Sequence, residues 1–165
     1  MNKKRLVIAF SGPSNSGKTT AIVKVSSILQ DRGFKVCIIK HDPKDKAMFD
    51  REGKDSFKFF QTGANVAVVS PNKTTIFKKG TSSIDELISI FDDFDYLLVE
   101  GLKTLELPRV SIFRNTLDES YFKVSNALAV DETINRKEIP NSLDILDLNN
   151  PEELILWIDK NAKKV

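Results

Sequence analysis

The stretch that decides the fold is Gly12-Pro13-Ser14-Asn15-Ser16-Gly17-Lys18-Thr19. It follows a continuous apolar run, residues 6–10, which is typical of a strand buried on both faces. A helical pattern over residues 18–32 comes next, with apolar residues recurring at three- and four-residue spacing. The stretch fits the pattern G-x-x-x-x-G-K-[ST] at every position, and its place between a strand and a helix is that of a phosphate-binding loop, the P-loop or Walker A motif.

The spacing of this loop suits a nucleoside triphosphate. Backbone N–H groups must wrap the phosphates, so Gly12 and Gly17 keep bulky side chains away, and the helix directs its positive end at the same place. Lys18 is expected to reach the β- and γ-phosphates, and the Thr19 hydroxyl to bind Mg²⁺. Further phosphate contacts are predicted from three more residues of the loop and first helical turn, Asn15, Ser16 and Thr20.

Two acidic residues are candidates for the metal ion and for catalysis. Glu100 ends an apolar strand pattern, which is where an acidic Mg²⁺ ligand lies beside a P-loop. Lys40, His41 and Asp42 follow the second predicted strand, and ligands of doubly wound sheets lie beyond the carboxyl ends of strands. Asp42 could join the Mg²⁺ shell or orient a water, and Lys40 could hold an anion. The predicted catalytic residues are Lys18, Asp42 and Glu100, and the predicted metal ligands are Thr19, Asp42 and Glu100.

The alternation of strand and helix patterns predicts an α/β fold with a P-loop NTPase-type, mostly parallel sheet, helices on both faces and an inserted β-hairpin. Strands are predicted at residues 6–10, 36–39, 65–70, 74–78, 96–99, 109–113, 127–130 and 145–148. Helices are predicted at residues 18–32, 54–62 and 83–91, with a last one opened by Asn150-Pro151. The length of 165 residues favours a single P-loop nucleotide-binding domain over residues 1–165.

Composition excludes several classes of protein. The 25 basic and 23 acidic residues leave a net charge of +2, too balanced for a nucleic-acid surface. Cys37 is the single cysteine, so no internal disulfide forms, as suits a reducing compartment. No apolar stretch approaches the ~18 residues of a membrane span. The apolar run at residues 6–10 is also too short for a signal-peptide core, so the expected location is the cytoplasm.

The residues alone do not choose the nucleobase. The common guanine motif Asn-Lys-x-Asp is absent, since Asn72-Lys73-Thr74-Thr75 fails at its fourth position. Asp131, just past the strand predicted at residues 127–130, could accept two hydrogen bonds from guanine. The alternative for Asp131 is a turn residue at a strand end.

Two other functions stay open at this level. A small-molecule kinase using ATP needs an acceptor pocket and usually a lid with clustered arginines. The six arginines of this chain do not cluster, although residues 41–60 could form a lid. A binding module whose nucleotide only sets its conformation is the second alternative.

A series of short motifs distinguishes this chain from other P-loop proteins. In order along the chain they are Lys40-His41-Asp42, Gly53-Lys54-Asp55-Ser56, Gly63-Ala64, Glu100-Gly101-Leu102-Lys103, Pro108-Arg109-Val110 and Arg114. With these motifs the chain resembles the molybdopterin-guanine dinucleotide biosynthesis protein B family over most of residues 5–131. It departs from the family at Pro43 and Lys44, where further histidines are frequent, and at Ser111, where an acid is common.

The resemblance implies a function as well as a fold. It implies a homodimer that binds GTP with Mg²⁺, hydrolyses it slowly, and assists a guanylyltransferase in molybdenum-cofactor biosynthesis. Molybdopterin or molybdoenzymes would be further partners, with no nucleic acid and no membrane involved. The resemblance also adds predicted cofactor-binding residues at family-motif positions, namely Lys40, His41, Asp55 and Lys103.

Overall fold

The computed structural model describes residues 4–165, and these form two compact units. The larger unit comprises residues 4–41 and 93–165, and the smaller one comprises residues 42–92. Residues 1–3, which begin the basic stretch before the first strand, lie outside the described part. The single nucleotide-binding domain over residues 1–165 remains a prediction.

The elements of the described chain follow the predicted order. The strands are β1 (Leu6–Ser11), β2 (Val36–Lys40), β3 (Val66–Ser70), β4 (Lys73–Phe77), β5 (Tyr96–Glu100), β6 (Arg109–Phe113), β7 (Ala127–Val130), β8 (Asp144–Asp147) and β9 (Lys163–Lys164). The α-helices are α1 (Lys18–Asp31), α2 (Asp55–Gln61), α3 (Ile84–Phe91) and α4 (Pro151–Asn161). Short 3₁₀ helices cover Glu119–Val124 and Arg136–Glu138.

The larger unit is built on a seven-stranded sheet in the order β2–β5–β1–β6–β7–β8, with β9 beside β1. The pairs along this order are parallel, and β9 alone among the described strands of this sheet pairs antiparallel. The carboxyl ends of the parallel strands therefore meet at one edge, which is where this class of sheet binds its ligands. The predicted α/β fold with a mostly parallel sheet is confirmed.

Alternate residues of the central strands face two separate clusters of apolar side chains. On one face, Ile8 and Phe10 of β1 pack with Ile22 of α1 and Leu154 of α4. Over β6 and β7 the other face carries Phe113, Tyr121, Leu128, Val130, Ile134 and Ile139. Tyr121 belongs to the first 3₁₀ helix, so helical elements cover both faces, as predicted. Each fully buried aliphatic side chain contributes about 1.5–3 kcal/mol, which holds the strand ends firmly.

The smaller unit contains the predicted hairpin and two short helices. Strands β3 and β4 pair antiparallel, with Ser70 opposite Lys73, so the turn consists of Pro71 and Asn72. Ser83 caps α3 in a full capping box with Glu86, as the sequence predicts. Every residue of 42–92 keeps appreciable exposure, and none is buried. Among residues 4–165 no helix combines the length and the apolar character that a membrane span requires.

Candidate functional site

The loop between β1 and α1 has the backbone of an anion cradle. Gly12 has φ +139°, Asn15 has φ +62°, and Gly17, the N-cap of α1, has φ +95°. A Cβ on Gly12 would lie 2.4 Å from the Ile112 carbonyl oxygen of β6, so only glycine fits at the first loop position. The loop therefore turns sharply at the end of β1 and delivers the N-terminal N–H groups of α1 to the carboxyl edge of the sheet.

Ser16 supports the interpretation of this loop as a site for a ligand. Its side chain is 3% exposed, and its hydroxyl is buried without a hydrogen-bond partner among the described residues. A buried hydroxyl left without a partner costs free energy, which a bound acceptor would recover. The Thr19 and Thr20 side chains are exposed on the first turn of α1.

Lys18 lies folded back onto its own loop. Its Nζ donates to the Pro13 carbonyl oxygen at 2.6 Å, which places the ammonium inside the cradle. Burial lowers the pKa of Lys18, the negative charge of Glu100 opposes this, and the positive charges of Lys40 and Lys103 add to it. A bound anion would raise the pKa of Lys18 and so oppose the effects of burial, Lys40 and Lys103. The positive charge of the cradle therefore favours the binding of phosphate.

Glu100 and Lys40 end neighbouring strands at the same edge. They are directly opposite in the register of β2 and β5, and Lys40 Nζ lies 3.4 Å from Glu100 Oε2. The Glu100 side chain is 15% exposed, whereas that of Lys40 is 65% exposed. His41 is exposed, and its backbone N–H donates to the Glu100 carbonyl oxygen. The structure thus brings Lys18, Lys40, His41 and Glu100 together beside the P-loop.

The turn after Glu100 is held by a buried arginine of the motif at residues 108–110, for which the sequence predicted no role. Arg109, 1% exposed, donates to Ser11 Oγ and to the carbonyl oxygens of Gly101, Leu102 and Leu105. This guanidinium ties the end of β1, just before Gly12, to the turn that carries Lys103. The Lys103 ammonium lies over the Tyr121 ring, 3.4 Å from its centroid.

Asp42 and Asp55 belong to the smaller unit and have local partners there. The Asp42 carboxylate accepts from the N–H groups of Lys44, Lys46 and Ala47, so it organises its own turn. Asp55 opens α2, is highly exposed, and lies 3.5 Å from Lys58 Nζ. Their assignment to catalysis, metal or cofactor stays a prediction.

Asp131 also has protein partners. Its Oδ1 accepts from the N–H and hydroxyl of Thr133, and its Oδ2 lies 3.4 Å from Arg114 Nε. The side chain is 9% exposed. Its contact with guanine remains a prediction, and the structure adds a second role, support of Arg114.

Arg114 is one of the family-motif positions for which the sequence predicted no role. It lines a cleft of about 360 Å³ together with Asn15, Gly17, Lys18, Thr19 and Thr20. The signal was available, because Arg114 directly follows β6 and side chains beyond the strand ends face this edge of the sheet.

The described residues fit a Mg²⁺ ion only in company with a nucleotide. Among residues 4–165 no group of three or more His, Cys, Asp or Glu side chains could hold a metal ion. Mg²⁺ in nucleotide sites takes one or two protein oxygens and completes its shell with phosphates and water. Thr19 and Glu100, beside a cradle with an unpartnered Ser16 hydroxyl, match that donor set.

Comparison with known proteins identifies one family. The family model for molybdopterin guanine dinucleotide synthesis protein B matches residues 7–132. The molybdopterin-guanine dinucleotide biosynthesis adapter protein of Escherichia coli is 28% identical over 169 residues, covering 93% of this chain and 94% of that protein.

Two further comparisons extend the picture. A relative from Methanocaldococcus jannaschii is 29% identical over 115 residues, which are 66% of this chain and about half (47%) of that protein. The crystal structure of Bacillus subtilis MobB superposes with a TM-score of 0.75 at 22% identity, over 94% of this chain and 98% of that one. At this identity the structural likeness concerns the fold alone.

Proposed function

Because the chain belongs to the molybdopterin guanine dinucleotide synthesis protein B family, its setting is the biosynthesis of that dinucleotide, and we propose that it acts there as a GTP-binding adapter of a guanylyltransferase. The nucleotide would bind with Mg²⁺ and be hydrolysed slowly. Molybdopterin or the molybdoenzymes are further partners under this proposal.

The observation that carries the proposal is the P-loop cradle with Lys18 inside it. Gly12 lets the loop turn against the Ile112 carbonyl oxygen of β6, Ser16 offers an unused hydroxyl among the described residues, and Lys18 Nζ donates to the Pro13 carbonyl oxygen. On binding, Lys18 would exchange that carbonyl for the β- and γ-phosphate oxygens, with which its charge interacts far more strongly.

Thr19 and Glu100 would hold the Mg²⁺ ion on the β5 side of the loop. The ion, when bound, neutralises charge on the β- and γ-phosphate oxygens. Lys40 lies close enough to Glu100 to offset its charge before the metal binds.

Isothermal titration of the purified chain with GTP and with ATP, in the presence of Mg²⁺, tests the nucleotide. We expect tighter binding of GTP, and no binding of either nucleotide by a Lys18→Ala variant. A preference for ATP would contradict the GTP proposal and favour the small-molecule kinase, for which acceptor-dependent ATP consumption is the next assay.

The smaller unit supports the proposal of a homodimer. Val69 and Ile76 lie on one face of the hairpin, where Val69 is 75% and Ile76 59% exposed. An isolated two-stranded hairpin is marginal in water, and contiguous exposed apolar residues mark an interaction surface. We propose that this face contacts a second copy of the chain.

Light scattering of a Val69→Lys/Ile76→Lys double variant tests the dimer. The wild type is expected at twice the monomer mass and the double variant at the monomer mass. Leu156→Lys is the matched control, since Leu156 is 69% exposed on α4 of the larger unit. A monomeric wild type at micromolar concentration would refute the dimer.

The adapter proposal is tested by binding to a purified molybdenum-cofactor guanylyltransferase. We expect affinity to increase when GTP and Mg²⁺ are present, and Lys18→Ala to remove that increase. Equal affinity with and without nucleotide would mean that the guanylyltransferase is a partner, but it would contradict an adapter whose binding depends on the nucleotide.

A further inference from the structure

Arg114 lies over the start of α1, at the wall of the P-loop cleft. Its Nε is 3.4 Å, and its Cζ 3.7 Å, from the place a Cβ on Gly17 would take. The guanidinium therefore lies within van der Waals distance of the loop at the N-terminus of α1. The Arg114 side chain is 40% exposed and lines the cleft with Asn15 and Thr20. A cation in this position reinforces the positive end of α1.

Residues that follow the neighbouring strands β7 and β8 fix the position of this guanidinium. Arg114 Nε lies 3.4 Å from Asp131 Oδ2, beyond β7, and its Nη2 donates to Asn149 Oδ1, beyond β8. Asp131 is itself fixed, because its other oxygen accepts from Thr133. A guanidinium has more donors than these two contacts use, so it keeps N–H groups for a ligand.

The strand order decides which end of a nucleotide Arg114 can meet. Strand β1, which leads into the P-loop, lies between β5 and β6. Glu100, the candidate Mg²⁺ residue, ends β5, and Arg114 follows β6. A Mg²⁺ ion held by Glu100 would neutralise the β- and γ-phosphates, so the γ end of a bound nucleotide would lie toward β5. The charges that shift the pKa of Lys18 come from Glu100, Lys40 and Lys103, in keeping with that polarity.

We propose that Arg114 binds the α-phosphate of the nucleotide and that Asp131 is its positioning residue. The assignment rests on the proposed nucleotide binding and adds the polarity of the ligand in the cleft. Arg114 then contributes to binding of nucleoside di- and triphosphates alike, and it does not act on the γ-phosphate during hydrolysis.

Titration of GDP and GTP into Arg114→Gln tests the assignment. Loss of a charge-assisted hydrogen bond lowers affinity about tenfold or more, and we expect the same factor for GDP and GTP. Arg136→Gln is the matched control, because Arg136 lies exposed in the 3₁₀ helix Arg136–Glu138 of the same unit. Trp157 fluorescence verifies that each variant is folded.

The role of Asp131 is tested by a double-mutant cycle. Asp131→Asn is expected to lower GDP affinity less than Arg114→Gln does, and the double variant to be no weaker than Arg114→Gln alone. Independent, additive losses would overturn the positioning role of Asp131.

The possible failures are distinguishable. A wild type that binds neither GDP nor GTP overturns the proposed function and this assignment with it. A wild type that binds both, with Arg114→Gln unchanged toward GDP, overturns the assignment alone. A loss confined to GTP would overturn the α-phosphate assignment and place Arg114 at the γ-phosphate.

Discussion

Replacing Gly12 by alanine is the sharpest test of the P-loop geometry. The residue has φ +139°, and a non-glycine residue in such a sparsely populated region costs about 1–3 kcal/mol. The new Cβ would also lie 2.4 Å from the Ile112 carbonyl oxygen and 2.9 Å from Ser16 Oγ. Relieving such overpacking costs a further ~1–3 kcal/mol, so we expect Gly12→Ala to lose about 4 kcal/mol of the free energy of unfolding.

Gly33→Ala is the control that separates the clash from the backbone term. Gly33 has φ +83°, in the left-handed region after α1, and nothing lies within 4 Å of the added Cβ. Its expected cost is about 1–2 kcal/mol, the penalty of a left-handed residue alone. The difference of about 2–3 kcal/mol between the variants is therefore the energy of the close contact with β6 and Ser16.

Urea unfolding followed by Trp157 fluorescence measures both variants. Trp157 is the single tryptophan, is 8% exposed, and donates to Asp144 Oδ2, so it reports on the larger unit. With a slope of about 2 kcal/mol per molar urea, the midpoint of Gly12→Ala should fall by about 2 M. Equal midpoints for the two variants would refute the claim that the β1 end is packed against β6 at Gly12.

Three further predictions concern the same unit. Lys18→Met should abolish GTP binding yet be at least as stable as the wild type in urea unfolding at pH 7. Burial lowers the pKa of Lys18, so the charged side chain costs the folded protein free energy below that pKa, and the cost disappears only as the pH rises toward 10.5. A clear loss of stability in Lys18→Met would contradict this. Glu100→Gln should weaken Mg²⁺-dependent GTP binding or turnover, seen in titrations at several Mg²⁺ concentrations, and an unchanged Mg²⁺ dependence would reject its role. Burial, with a smaller influence from Asp93, raises the pKa of Cys37. A thiol reagent at pH 8 should therefore modify Cys37 more slowly in the native chain than in the urea-unfolded chain, and the two rates should converge above the raised pKa. Equal rates at pH 8 would contradict the raised pKa.

Local patterns in the sequence determined the P-loop, the class of fold and most of the elements. The glycines and Lys18 identify the cradle because its chemistry lies in consecutive residues. Ser83 and Glu86 predict the capping box for the same reason, since both partners lie within one turn. The predicted strand at residues 127–130 has the observed bounds, because a run buried on both faces is apolar throughout.

The tertiary structure alone decided what depends on the order of strands. Strand β9 has only two residues, and it exists because β1 offers free backbone groups at Leu6 and Val7. Arg109 looks like a surface residue in the sequence, yet it is buried by the turn whose carbonyl oxygens it binds. Arg114, Asp131 and Asn149 come from three separate segments, and only the adjacency of β6, β7 and β8 brings them together beside the P-loop. Contacts between residues distant in sequence leave no periodic pattern in the sequence. The sequence therefore predicts the P-loop, whereas the order of the strands in the sheet decides which side chains face that loop.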